Sequence, residues 1–97
     1  MRLIFSPLAL EQWNDWKRTN PQVAKRIKKL LEDICAHPFT GIGKPEPLKF
    51  DLAGKWSRRI NSEHRIIYKV SDGMIEIDVL SMKYHYPKKQ QTSMMRI

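Results

Sequence analysis

Three prolines divide the first 38 residues into pieces that leave little choice of fold. Ser6-Pro7 ends the short apolar run Arg2 to Phe5, predicted as a first strand, and starts a helix. Ser6 can cap that helix, and Pro7 at its first position forgoes only an N–H that would lack a partner there. Ala9, Trp13 and Trp16 recur at i, i+4 and i+7, which marks one buried face as far as about Arg18. This spacing accounts for both tryptophans as core residues. Asn20-Pro21 repeats the device, and Val23, Ile27, Leu30, Leu31 and Ile34 form the next apolar stripe. Lys25, Arg26, Lys28 and Lys29 lie largely off that stripe, as a solvated helix face does, with RNA contact as the alternative reading. His37-Pro38 stops the second helix, because a residue before proline is pushed out of the α region. Two helices joined by so short a turn are expected to pack as an antiparallel hairpin.

From Phe39 to Lys55 the glycines and prolines predict an ordered loop, and a loop of that length in a small domain is usually functional. Three strands are predicted after it: Trp56 to Ile60, His64 to Val70, and Met74 to about Tyr86, with Ser71-Asp72-Gly73 as the last turn. The first hairpin has two candidate registers. A two-residue loop at Ser62-Glu63 would put Arg65 and Lys69 on the face of Trp56 and Ile60. A three-residue loop, Asn61 to Glu63, pairs Ile60 with His64 and gathers Trp56, Ile60, Ile66, Tyr68 and Val70 on the core face. Ser57, Arg59, Arg65 and Lys69 then share the other face. One residue of slip flips every side chain, and burying charge costs several kcal/mol, so the three-residue loop is predicted. It leaves Arg58 on the apolar face, expected at the rim, and sets Arg59 opposite Arg65. The last strand alternates Ile75, Ile77 and Val79 against Glu76 and Asp78, then changes phase at Val79-Leu80, where a bulge is one explanation.

The totals narrow the class. A chain of 97 residues with 41% hydrophobic content makes one domain with a modest core. Its formal net charge of +8 predicts affinity for polyanions, either nucleic acid or an acidic protein. The single cysteine, Cys35, excludes an internal disulfide and fits a reducing cytoplasm. No apolar run approaches the ~20 residues of a membrane span, and no signal-peptide core opens the chain.

The charge concentrates in the stretch Gly41 to Arg65, where one carboxylate, Glu46, sits between two prolines and two lysines, Lys44 and Lys49, followed by Arg58, Arg59 and Arg65. No spacing of Cys35, His37, His64 and His85 matches a zinc site, and neither a phosphate loop nor a nucleophile motif is present. What remains matches metal-free RNA cleavage, in which the RNA's own 2′-OH attacks the adjacent phosphate. That reaction needs a base, cations on the phosphorane oxygens and an acid for the leaving 5′ oxygen. Glu46, then Arg65 with Arg59 and Lys49, then His85 can supply those parts. His64, facing the core, reads as structural.

The words GKPEPLK, L-x-G-x-W-S-R-R-I, EHR-x-x-Y and a terminal Y-H-Y occur in order between Met1 and Tyr86. By these the chain resembles the YoeB toxins of the RelE superfamily. The resemblance implies an α+β fold, a two-helix hairpin on a twisted, mainly antiparallel sheet of four to five strands. It implies a ribosome-dependent endoribonuclease that cuts mRNA in the A site, needs no cofactor, and is inhibited by an acidic YefM/Phd-like antitoxin. A homodimer also falls within its range. Carried over by motif, the catalytic residues are Glu46, Arg65, His85 and Tyr86, and the phosphate-binding residues are Lys49 and Arg59, with Lys44 beside them. Two departures stand out: the stretch between EHR and YHY is about two residues longer, and the chain continues past Tyr86. The domain is therefore placed at residues 1–86 and a polar tail at 87–97. The alternative is a non-catalytic RNA- or ribosome-binding module, which would need no carboxylate in a phosphate site.

Overall fold

Pro7 and Pro21 both open helices in the computed structural model, which describes residues 2–71, 73 and 76–83. Strand β1 (Arg2–Phe5) ends at Ser6, whose hydroxyl accepts from the Ala9 N–H at 2.9 Å and caps α1 (Pro7–Thr19). The same hydroxyl donates to the Leu80 carbonyl at 2.9 Å, so the cap also ties the helix to the sheet. Asn20 caps α2 (Pro21–Ala36) through a 3.3 Å bond from the Val23 N–H. The remaining strands are β2 (Glu46–Pro47), β3 (Trp56–Arg59), β4 (Arg65–Ser71) and β5 (Glu76–Ser81). They form one five-stranded mixed sheet in the order β1-β5-β4-β3-β2, with β1 parallel to β5 and every other pairing antiparallel. The fold is α+β, as expected.

The core lies between the helices and one face of this sheet. Ala9 and Trp16 of α1 and Ile27, Leu30, Leu31 and Ile34 of α2 meet Ile60, Ile66, Tyr68, Ile77 and Val79. A fully buried aliphatic chain of this kind contributes about 1.5–3 kcal/mol, so the α2 stripe and the sheet residues facing it carry much of the packing. Trp16 donates its indole N–H to the Met82 carbonyl at 2.9 Å and meets the His64 ring edge-on at 4.9 Å. His64 thus takes the core-facing place predicted for it.

The three-residue hairpin loop is present: Arg59 pairs with Arg65, Trp56 with Tyr68, and the Ile60 N–H donates to the His64 carbonyl at 2.9 Å. Asn61 shapes the loop, its side-chain oxygen accepting from the N–H groups of Glu63 (2.9 Å) and His64 (2.8 Å). The phase change in β5 is a bulge. Tyr68 pairs with Val79 but Ile67 pairs with Ser81, which leaves Leu80 as the extra residue.

Two expectations are corrected. The predicted loop Phe39–Lys55 contains β2 and a 3₁₀ turn at Phe50–Leu52, and Pro47 is admitted because β2 is a sheet edge. Arg58 is not at a rim but fully buried, for reasons that belong to the site. Met74, Ile75 and Tyr84–Tyr86 of the predicted last strand, and the tail 87–97, lie outside the described residues.

Candidate functional site

Register alone assembles the candidate face. Glu46 pairs with Ser57, and Ser57 pairs with Ile67, so these three form a row across β2, β3 and β4 on the side away from the helices. Arg59 and Arg65, two residues along, form the next row on that side. Strand spacing and rise put the Glu46 backbone about 8 Å from Arg59 and about 12 Å from Arg65, a span that long side chains can close around one phosphate. Ser57 and Ile67 are buried and make the floor, while Glu46 and Arg59 are exposed. The Arg65 guanidinium donates to the carbonyls of Asn61 (2.9 Å) and His64 (3.1 Å), which fixes its base against the hairpin loop.

Of the residues expected at the site, Glu46, Arg59 and Arg65 share this face. Lys44 and Lys49 are exposed on the loop that carries Glu46, two residues before and three after it. His85 and Tyr86 lie outside the described residues.

Sequence reasoning missed what holds that loop. Arg58, next to Arg59 on β3, points into the core with no solvent exposure, and all five of its N–H donors are used. Nε donates to the Tyr68 hydroxyl (3.1 Å), Nη1 to Asp33 Oδ2 (2.6 Å) and the Ile42 carbonyl (2.9 Å), and Nη2 to the carbonyls of His37 (2.5 Å) and Thr40 (2.8 Å). Tyr68 passes its own proton to the Pro38 carbonyl at 2.6 Å, and Asp33 also accepts the Ile42 N–H at 3.1 Å. The chain from His37 to Ile42 is thereby wrapped around one guanidinium. Gly43 completes the attachment. Its carbonyl accepts the Arg59 N–H at 2.7 Å, and a Cβ there would press on Leu30 at 2.7 Å, at a φ of 81° that favours glycine. The hydrogen bond from Arg58 holds the Asp33 carboxyl below its usual range, against the opposing effect of desolvation. Burial pushes the Tyr68 phenol up, partly offset by Arg58. The usable sequence signals were Tyr68 in a core strand, which needs a hydroxyl partner, and Asp33 beside the α2 stripe.

A helical hairpin behind a five-stranded sheet, with Arg59 opposite Arg65 and Glu46 one row away on the open face, defines a small α+β protein with a basic sheet edge. Residues 5–86 match the family described as YoeB-like toxin of bacterial type II toxin-antitoxin system. The chain is 45% identical to Toxin YoeB of Streptomyces coelicolor over 86 residues, covering 89% of this chain and all of that one. A YoeB/ParE toxin from Agrobacterium tumefaciens superposes with a TM-score of 0.86 at 40% identity, over 89% of this chain and 100% of the other. Two Staphylococcus aureus structures also match, a YoeB dimer (TM-score 0.81, 41% identity) and a YoeB-YefM complex (0.79, 44%), each over 89% of this chain and 98% of its own. The chain belongs to the YoeB-like toxin family of bacterial type II toxin–antitoxin systems.

Proposed function

We propose that this toxin is a ribosome-dependent endoribonuclease that cleaves mRNA in the A site by attack of the 2′-OH on the neighbouring phosphate. The observation that carries the reading is the register that brings Glu46, Arg59 and Arg65 to one face of the sheet. Glu46, the carboxylate that shares this face with the arginines, serves as the base for the 2′ proton. Arg65, with Arg59 and Lys49, stabilises the charge that develops on the phosphorane, and arginine offers a planar fork suited to phosphate oxygens. Lys44 adds to the field that draws RNA to the face. His85 protonates the leaving 5′ oxygen, and Tyr86 orients the phosphate or stacks on a base. Residues 1–86 form the toxin domain and 87–97 a polar tail.

The partners follow from the same charge. An acidic antitoxin of the YefM kind covers the cationic face and inhibits the toxin, as complementary charge favours. The Staphylococcus aureus dimer supports self-association of this chain too. Among the described residues no helix is long and apolar enough to cross a membrane, and the proposed substrate places the protein in the cytoplasm.

The test is cleavage of ribosome-bound mRNA by purified toxin. Arg65→Ala is expected to slow cleavage about 10²–10³-fold, the usual loss for a preorganised oxyanion donor. The products should carry a 2′,3′-cyclic phosphate, and a 2′-deoxy substitution at the scissile nucleotide should block the cut. Undiminished cleavage by Arg65→Ala, or a plain 3′-hydroxyl product, refutes the reading.

A further inference from the structure

Among the described residues, two other than glycine hold a left-handed backbone: Lys44 (φ 52°) and Phe50 (φ 54°). They bracket β2, so both departures from ordinary geometry flank Glu46. Such conformations persist where the surrounding structure imposes them, and they concentrate at functional sites. Phe50 combines this with 91% exposure, well beyond the 50% of Leu8, the next most exposed large apolar residue among those described. Its ring gives up burial while the backbone beneath it is tightly bonded. Leu52 N–H donates to the Lys49 carbonyl (3.0 Å), Ala53 N–H to the Phe50 carbonyl (3.0 Å), Lys55 N–H to the Leu52 carbonyl (3.0 Å), and Leu48 N–H to the Lys55 carbonyl (2.9 Å). The aromatic ring is therefore presented from a built turn rather than from a slack loop.

The setting indicates what the ring meets. Its sequence neighbours Lys49 and Asp51, and Ala53 and Gly54 beyond them, are all exposed, so along the turn the ring is flanked by small and charged residues, with Leu52 half-buried as the one other apolar side chain of the turn. One aromatic flanked by charged and small residues is less suited to the contiguous apolar patch on which a protein partner docks. It does suit a single planar base with a phosphate beside it, since unpaired bases are held by stacking on aromatic side chains while cations track the backbone. Lys49 supplies that cation next in sequence.

Resting on the cleavage reading above, we propose that Phe50 is a stacking platform for one unpaired mRNA base next to the scissile phosphate, and so a residue that determines substrate position and base preference. The test measures half-saturating concentration and single-turnover rate separately, on ribosome-bound mRNA, for Phe50→Ala, Phe50→Leu and Phe50→Trp. Phe50→Ala is expected to raise the half-saturating concentration about 5- to 150-fold, the range set by base–aromatic stacking. Phe50→Trp should restore it, and Phe50→Leu should behave like alanine, because it keeps apolar bulk and loses the ring. An abasic nucleotide at one position flanking the cut should abolish the difference between wild type and Phe50→Ala. Thermal unfolding of each variant accounts for any loss of folded protein. Leucine as good as phenylalanine, or an alanine penalty unchanged by every abasic position, overturns the proposal; so does an alanine variant that binds RNA normally and loses only antitoxin affinity. Glu46→Gln in the same assay keeps the two readings apart: its failure to slow the rate would refute the cleavage mechanism, whereas the binding shift at Phe50 tests stacking.

Discussion

Removing the Arg58 guanidinium should unfold much of what holds Glu46 in place, and the cost follows from its five bonds. In Arg58→Ala the carbonyls of His37, Thr40 and Ile42 lose a buried donor, and Asp33 loses its cation. Taking one partner from a buried ion pair costs about 3–5 kcal/mol, chiefly because the other group is left uncompensated. Asp33 is 22% exposed and can be hydrated again, which favours the lower end, about 3 kcal/mol. Against a total stability of roughly 5–15 kcal/mol for a domain of this size, that is a large share. The melting temperature should then fall by about 12 °C or more, at roughly 4–8 °C per kcal/mol. Tyr68→Phe removes only one link to Arg58 and one to Pro38, and should cost about 1–3 kcal/mol. The assay is thermal unfolding followed by far-ultraviolet circular dichroism, in a Glu46→Gln background so that the toxin can be expressed. A drop below about 4 °C for Arg58→Ala would refute the clamp, since that is the scale of one ordinary surface bond.

The same cage makes stability depend on acid. Asp33 has a depressed pKa in the folded chain, so its contribution is complete above the ordinary value of 3.8 and is lost as pH falls through the lowered one. Wild type should therefore converge on Asp33→Asn below about pH 4 in unfolding measurements, and a constant gap between them from pH 2 to 7 would count against this. Association with an acidic antitoxin should slow steeply with added salt, because steering between exposed charges is screened; a rate indifferent to salt between about 50 and 500 mM would exclude the sheet face as the docking surface.

What could be read from the sequence was local. Ser6-Pro7 and Asn20-Pro21 place helix starts by chemistry contained in a few residues, and both caps formed. The hairpin register was legible because one choice buried Lys69 and Arg65 while the other buried Ile66 and Tyr68. The parallel pairing of β1 with β5 joins residues more than 70 positions apart, from Arg2 with Glu76 to Phe5 with Val79, and no pattern within either strand encodes it. Strand β2 was hidden because Pro45 and Pro47 argue against a strand everywhere except at a sheet edge, and edges are decided by topology. Arg58 was misplaced for a similar reason. Alternation put it on the apolar face, but the carbonyls that make burial tolerable come from residues 37–42, in a segment without a periodic signature.

Arg58 and Arg59 show how strand geometry divides labour between identical neighbours. Successive side chains on β3 point to opposite faces, so the first guanidinium enters the core and the second lies on the open face, one row along from Glu46. The first holds the start of the loop from inside, through Asp33 and Ile42; the second holds it from outside, through the Arg59 N–H and the Gly43 carbonyl. Glu46, three residues after Gly43, inherits its position from both. Slipping the hairpin by one residue would reverse the assignment of β4 against β3, turning Arg65 toward the core and Tyr68 away from Arg58. The cage and the cationic face would fail together. The device that prevents this is small: Asn61 accepts two backbone N–H groups and fixes a loop of three residues rather than two. The geometry proposed for catalysis and the stability of the core therefore depend on one choice of register, which is why the cage belongs to the proposed site although the Arg58 side chain is fully buried.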